Sequence, residues 1–208
     1  MRTRVKFCGI VRPEDARAAA DAGADAVGLV FYPPASAALE ADAAAAVCRA
    51  VPPFVETVAL FADAAAEYAA DIIRRVRPSL LQFHGDESAE YCKSFGAPYI
   101  KAARVGCAED IARVLREHGG ARGVLLDSKT PGKYGGSGEM FDWNLIPAQS
   151  PLPLIIAGGL TAATAGALIS AHRPYAADVS SGIAAEGDKR RKDSAKMRAF
   201  MKAVRDAE

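Results

Sequence analysis

The sequence predicts an α/β chain folded as a (β/α)8 barrel, one domain over residues 1–208, and three observations predict it. Short β-branched or apolar runs alternate with helix-period segments along the whole chain, eight times over. Several runs, such as Val124-Leu125-Leu126 and Leu154-Ile155-Ile156, are apolar on both alternations, as parallel strands covered on both faces must be. No linker, composition break or charge block divides the 208 residues. Parallel strands need helical crossovers, and eight of them close without leaving an edge, which is the TIM barrel. An open doubly wound sheet competes, but the count favours closure.

The first run is Val5 to Ile10; Pro13 with Glu14 and Asp15 then starts a helix that ends at Ala22-Gly23. The second, Ala26 to Tyr32, is stopped by Pro33-Pro34 and followed by a helix from Glu40 to Val51. Run three, Glu56 to Ala62, leads into a helix over Ala64 to Val76, and run four, Leu80 to His84, into one near Ser88 to Phe95. Run five is Tyr99 to Val105 with a helix from Glu109 to His118. Run six, Gly123 to Ser128, precedes a glycine-rich loop and a short helical stretch near Trp143. Run seven, Leu154 to Ala157, precedes a helix over Ala162 to Ala171, and run eight, Ala176 to Ser180, precedes the closing helix, Ser194 to Asp206. In that last helix Met197, Phe200, Met201 and Val204 fall on one face, the mark of a core stripe.

Composition excludes several classes. Lys plus Arg total 26 against 25 Asp plus Glu, so the chain lacks the basic excess that polyanion binding draws on, and neither nucleic acid nor a membrane is an expected partner. No signal-like or membrane-spanning apolar stretch stands in the sequence, so the expected location is the cytoplasm. Cys8, Cys48, Cys92 and Cys107 are widely spaced with no CxxC pair, which reads as reduced thiols.

In a parallel barrel, reactive groups come from the C-terminal ends of strands and the loops beyond them. That rule selects Cys8, His84 with Asp86, Asp127, Gly158-Gly159, and Asp178 with Ser180-Ser181-Gly182. Cys8 is either a small buried hydrophobe or a thiol that an electropositive site helps to ionise. Asp127 ends the apolar run GVLLDS, where a carboxylate is either a loop hydrogen-bond acceptor or useful chemistry. Together they offer an acid and a base on strands one and six. His84-Gly85-Asp86-Glu87 has no second histidine at metal-ligand spacing, so His84 is expected as a hydrogen-bonding wall and no metal is expected. Gly158-Gly159 after strand seven and Ser180-Ser181-Gly182 after strand eight occupy the two loops where barrels hold phosphate on backbone N–H groups. The glycine-rich stretch from Gly132 to Gly138 lacks the Lys-Ser/Thr ending of a P-loop and reads as a mobile cover.

With these residues in place, the chain resembles the phosphoribosylanthranilate isomerase family of tryptophan biosynthesis. The likeness is carried by KFCGIVRPEDA at 6–16, AGADAVGLVFYP at 22–33, QFHGDES at 82–88, YIKAARV at 99–105, LLDSKTPGKYGGSG with FDW at 125–143, IIAGGL at 155–160 and RPYAADVSSGI at 173–183. It implies an Amadori rearrangement of N-(5-phosphoribosyl)anthranilate to a 1-deoxyribulose 5-phosphate derivative without a cofactor. It also implies Asp127 as general acid, Cys8 as the base at the sugar C2, His84 and Asp178 in the substrate wall, and phosphate on Gly158, Gly159, Ser180, Ser181 and Gly182. The expected assembly is a monomer or a homodimer.

One departure stands out. Where the family places an arginine after strand two, associated with the anthranilate carboxylate, this chain has Ala37. The resemblance therefore implies weakened substrate capture unless another cation, such as Arg12 or Arg104, substitutes. Two alternatives remain at this stage: a non-catalytic phosphosugar-binding barrel, and a related ribose-phosphate isomerase or epimerase with another aglycone.

Overall fold

A computed structural model describes residues 2–129 and 139–208. The strands are β1 (Arg4–Cys8), β2 (Ala26–Val30), β3 (Glu56–Phe61), β4 (Leu80–Phe83), β5 (Tyr99–Val105), β6 (Val124–Ser128), β7 (Leu154–Ile156) and β8 (Ala176–Val179). They pair in parallel in chain order, and β8 returns to β1 with Lys6 opposite Asp178, so the sheet closes as expected. Outside it lie α1 (Pro13–Ala22), α2 (Ala41–Ala50), α3 (Ala66–Val76), α4 (Ala89–Ser94), α5 (Ala108–Glu117), α6 (Ala162–His172) and α7 (Ser194–Asp206). Between β6 and β7 the described residues hold a single 3-10 turn, Trp143–Leu145, instead of a helix. The expected cover from Gly132 to Gly138 lies outside the described residues.

Alternation along each strand divides the side chains between two layers. Outward-facing residues meet the helices: Phe7 of β1 packs edge-on against Phe200 of α7 with ring centroids 6.2 Å apart, and Phe31, Phe61 and Phe83 stack in series at 5.5 and 6.1 Å. Each such ring, fully withdrawn from water, contributes roughly 1.5–3 kcal/mol of transfer free energy. Met197, Phe200, Met201 and Val204 are buried, so the closing helix docks by the stripe read from its sequence.

Inward-facing residues are sorted by height. Ile100, Ala102, Leu125, Ile155, Ala157 and Ala176 form an apolar plug in the barrel. Cys8, Val30 and Leu60, at or next to the C-terminal ends of their strands, form a second small cluster with Tyr32, Ala35 and Ala37. Room for Cys8 comes from the neighbouring strand, because a Cβ on Gly28 would lie 2.7 Å from its sulfur.

The loop after β8 departs from the sequence reading. It contains an antiparallel hairpin, β9 (Ala184–Ala185) and β10 (Asp188–Lys192), where only a loop was expected. The run DKRRK has no apolar residue to signal a strand, and pairing with the Ala184–Ala185 backbone supplies what its side chains do not. Gly187, with φ +73°, makes the turn between the two strands.

Candidate active site

A cavity opens at the C-terminal ends of the strands, the end where chemistry is expected. Its lining includes Cys8, His84, Asp127, Gly158, Gly159, Asp178, Ser180 and Ser181, so residues from β1, β4, β6, β7 and β8 converge on one space. Of the residues singled out in the sequence, Gly182 is not part of this lining; a side chain there would run into the Leu160 carbonyl, so glycine lets two loops approach. Asp86 lies outside the cavity and pairs with Arg104.

Asp127 stands at the penultimate position of β6, is 5% exposed, and accepts a hydrogen bond from the Ser128 backbone N–H at 2.8 Å. Gly158, with φ +83°, makes space beside it, because a Cβ there would approach Asp127 Oδ1 to 2.9 Å. This glycine therefore serves the carboxylate as well as the loop turn. His84 approaches from the other side, Nε2 to Asp127 Oδ2 at 3.2 Å. The two atoms are close but not aligned for a hydrogen bond, and Nε2 makes none. With Gln82 Nε2 donating to His84 Nδ1 at 3.1 Å, the imidazole carries its proton on Nε2. That N–H and the buried, unbonded Gln82 Oε1 both keep capacity for a ligand.

Cys8 faces the same space among charged groups that the sequence reading passed over. Lys6, two residues earlier and on the same strand face, donates to Asp178 Oδ1 at 3.0 Å, and both side chains are buried. Burial works against the Lys6 ammonium, but the Asp178 carboxylate and the nearby thiol outweigh it and hold the group above its ordinary range. Burial pushes the Cys8 thiol up; the ammonium of Lys6 opposes this, Asp178 reinforces it, and Lys192 opposes it again. Cys8 is thus a thiol at rest, with two cations placed to stabilise its anion.

The loops after β7 and β8 make the last wall. Gly158 and Gly159 both hold left-handed φ values, +83° and +62°, which L side chains rarely adopt. The Lys192 Nζ donates to the Ser180 carbonyl at 3.0 Å and lies 3.3 Å from its hydroxyl, so a buried cation underlies the serine loop. Burial pulls Lys192 below the usual lysine range. Gly9, with φ +73°, lets three loops meet: a Cβ there would stand 3.2 Å from both Ala37 Cβ and Ser180 Oγ.

Neither arginine offered in place of the missing one reaches the cavity. Arg12 is bound to Glu14 and Asp15, and Arg104 to Asp86. Among the described residues no group of three or more His, Cys, Asp or Glu could hold a metal ion, and no helix is long and apolar enough to cross a membrane.

The family profile described as N-(5′-phosphoribosyl)anthranilate (PRA) isomerase matches residues 5–203. The chain belongs to the phosphoribosylanthranilate isomerase family. Among its relatives, the N-(5′-phosphoribosyl)anthranilate isomerase of Pseudomonas putida is 48% identical over 204 residues, covering 98% of each chain. The crystal structure of phosphoribosylanthranilate isomerase from Thermotoga maritima superposes with a TM-score of 0.87 at 35% identity, over 98% of this chain and 99% of that one. Another isomerase structure, in complex with reduced 1-(o-carboxyphenylamino)-1-deoxyribulose 5-phosphate, superposes with a TM-score of 0.84 at 33% identity, again over 98% and 99%. These isomerases have the same closed (β/α)8 barrel as this chain.

Proposed function

We propose that this chain isomerises N-(5′-phosphoribosyl)anthranilate in tryptophan biosynthesis, with Asp127 as general acid and Cys8 as general base. The observation that carries the assignment is that both groups line one cavity whose remaining wall is the glycine and serine pair of loops. The substrate's phosphate belongs on Gly158, Gly159, Ser180 and Ser181, where Lys192 adds positive charge, and the ribose then spans Cys8 and Asp127. Gly182 contributes the close approach of the two loops, and His84 and Asp178 form the wall against the sugar.

Asp127 gives a proton to the ribose ring oxygen, the C1′–O bond breaks, and the nitrogen lone pair forms the C1′ iminium. Cys8, in the thiolate form that the Lys6 ammonium stabilises, takes the proton from C2′, and the released electron pair neutralises the iminium as an enolamine. The C2′ hydroxyl loses its proton while C1′ gains one, which leaves the ketone. Atoms and electrons balance within the substrate, so no redox partner is consumed. The Lys6 ammonium favours the Cys8 thiolate, and the His84 Nε2–H, 3.2 Å from Asp127 Oδ2, favours the carboxylate that Asp127 leaves behind. Holding the sugar by its phosphate keeps C2′ and the ring oxygen in register with the two groups.

Asp127→Asn and Cys8→Ala are each expected to lower turnover by about 10² to 10⁴, measured by the change in anthranilate fluorescence. Binding of the reduced product analogue by calorimetry should stay within a few-fold. Turnover retained by either variant overturns its assigned role. An unmodified chain that binds the analogue without turnover is a phosphosugar-binding barrel instead.

A further inference from the structure

The substrate has two anionic ends, a phosphate and a benzoate, and the cavity has an evident place for only one. With the phosphate on the loops after β7 and β8, the aryl ring falls toward Val30, Tyr32, Ala35, Ala37 and Leu60. That wall is apolar and suits a ring, yet a carboxylate carried into it without a partner would be costly. Lys6 is occupied by Asp178, Lys192 by Ser180, and Arg12 and Arg104 by their own carboxylates.

We propose that Arg190, on the charged hairpin strand β10, is the cation that receives the aryl carboxylate. This rests on the isomerase reading and adds to it a specificity-determining residue that this chain places on a different element from the loop after β2. Arg190 and Lys192 both lie on β10, whose register against β9 shifts between Asp188 and Lys192. Lys192 turns inward to Ser180, and Arg190 reaches across to the loop after β2, donating through Nη1 to the Ser36 carbonyl at 2.7 Å and more weakly to that of Ala38 at 3.4 Å. These two carbonyls flank Ala37, whose methyl lines the aryl end of the cavity. Asp188 accepts from the Arg190 backbone N–H at 2.9 Å and fixes the strand at that point.

Nη1 anchors the guanidinium, and among the described residues no carboxylate pairs with Arg190. Its Nε and Nη2 remain as a planar fork, the arrangement that binds a carboxylate through two parallel hydrogen bonds. An alanine at position 37 leaves room for such a group, and the hairpin delivers it from a point 154 residues along the chain from Ser36.

Two stable ligands test the proposal in the full chain: the reduced carboxyphenylamino-deoxyribulose 5-phosphate, and the same compound without the carboxylate. Calorimetry on Arg190→Ala should show affinity for the first falling by about 10- to 100-fold, the range of a charge-assisted hydrogen bond, and for the second changing by less than about threefold. Arg190→Lys should fall between, and Ala37→Arg added to Arg190→Ala should recover most of the loss for the carboxylated ligand alone. Equal weakening of both ligands overturns the proposal, because Arg190 then only braces the loop; no weakening of either also overturns it. Failure of the unmodified chain to bind either ligand overturns the isomerase reading itself.

Discussion

Two lysines are buried on strands that lie opposite each other in the closed sheet, Lys6 on the inner face of β1 and Lys101 on the helix-facing side of β5, and their surroundings differ. The Lys101 Nζ is caged by the carbonyls of Phe83 at 3.3 Å, Gly85 at 2.5 Å and Ala102 at 3.4 Å, and by Glu87 Oε2 at 3.3 Å. An ammonium has three N–H bonds, and four acceptors leave none to spare. Lys6 has one carboxylate partner, Asp178, and a thiol beside it. A saturated cation pins the backbone of the turn after β4, whereas an unsaturated one projects its charge onto Cys8. The same residue type is scaffold on one side of the barrel and electrostatic support on the other, and the acceptor set decides which.

The largest effect expected from breaking this comparison is in stability at Lys101. Lys101→Met strands the Glu87 carboxylate in the interior and should cost about 3–5 kcal/mol in chemical denaturation, with the pH profile of turnover unmoved in the folded fraction. Lys6→Met strands Asp178 and should cost up to about 3 kcal/mol, because the open cavity admits water to the survivor. Its distinguishing result is kinetic. A base works deprotonated, so turnover rises with pH through the Cys8 limb; removing the cation disfavours the thiolate and moves that limb to higher pH. A limb left in place would show that Lys6, like Lys101, only builds.

The smallest effect concerns His118, which closes α5 near Lys101. Burial, aided by the Lys101 charge, pulls this imidazole down to about 4 from 6.5. The unfolded chain therefore binds a proton there that the folded chain refuses, and stability is lost as pH falls from about 6.5 toward 4. His118→Gln should flatten the denaturation midpoint across that window while changing little at pH 8. An unchanged slope would place the acid sensitivity elsewhere.

Much of the site was legible because barrel strands end in punctuation. Cys8 before Gly9, Asp127 after an apolar run and Gly158-Gly159 after Ile155-Ile156 all interrupt a hydrophobic pattern, and they line the cavity. Lys6, Gln82 and Lys101 sit inside strands, where a single polar residue reads as one solvated alternation. A signal did exist for Lys6 and Gln82: in a strand whose outer face meets a helix, a mid-strand polar residue on the inward alternation faces the barrel interior, whereas Lys101, between the inward-facing Ile100 and Ala102, faces the helix layer. The charged run of β10 gave no comparable clue, since its composition reads as exposed loop.

The order of elements, the closed barrel and the strand-end positions of Cys8 and Asp127 follow from local pattern, because periodicity and strand-end position act within a few residues of chain. The cation opposite Ala37 does not. Arg190 reaches Ser36 only because barrel closure sets β8 beside β1 and brings the loop after β8 over the loop after β2. Which lysine is caged and which is left to act on Cys8 was likewise decided by carbonyls and carboxylates converging from different strands, a proximity that exists once the chain has closed on itself.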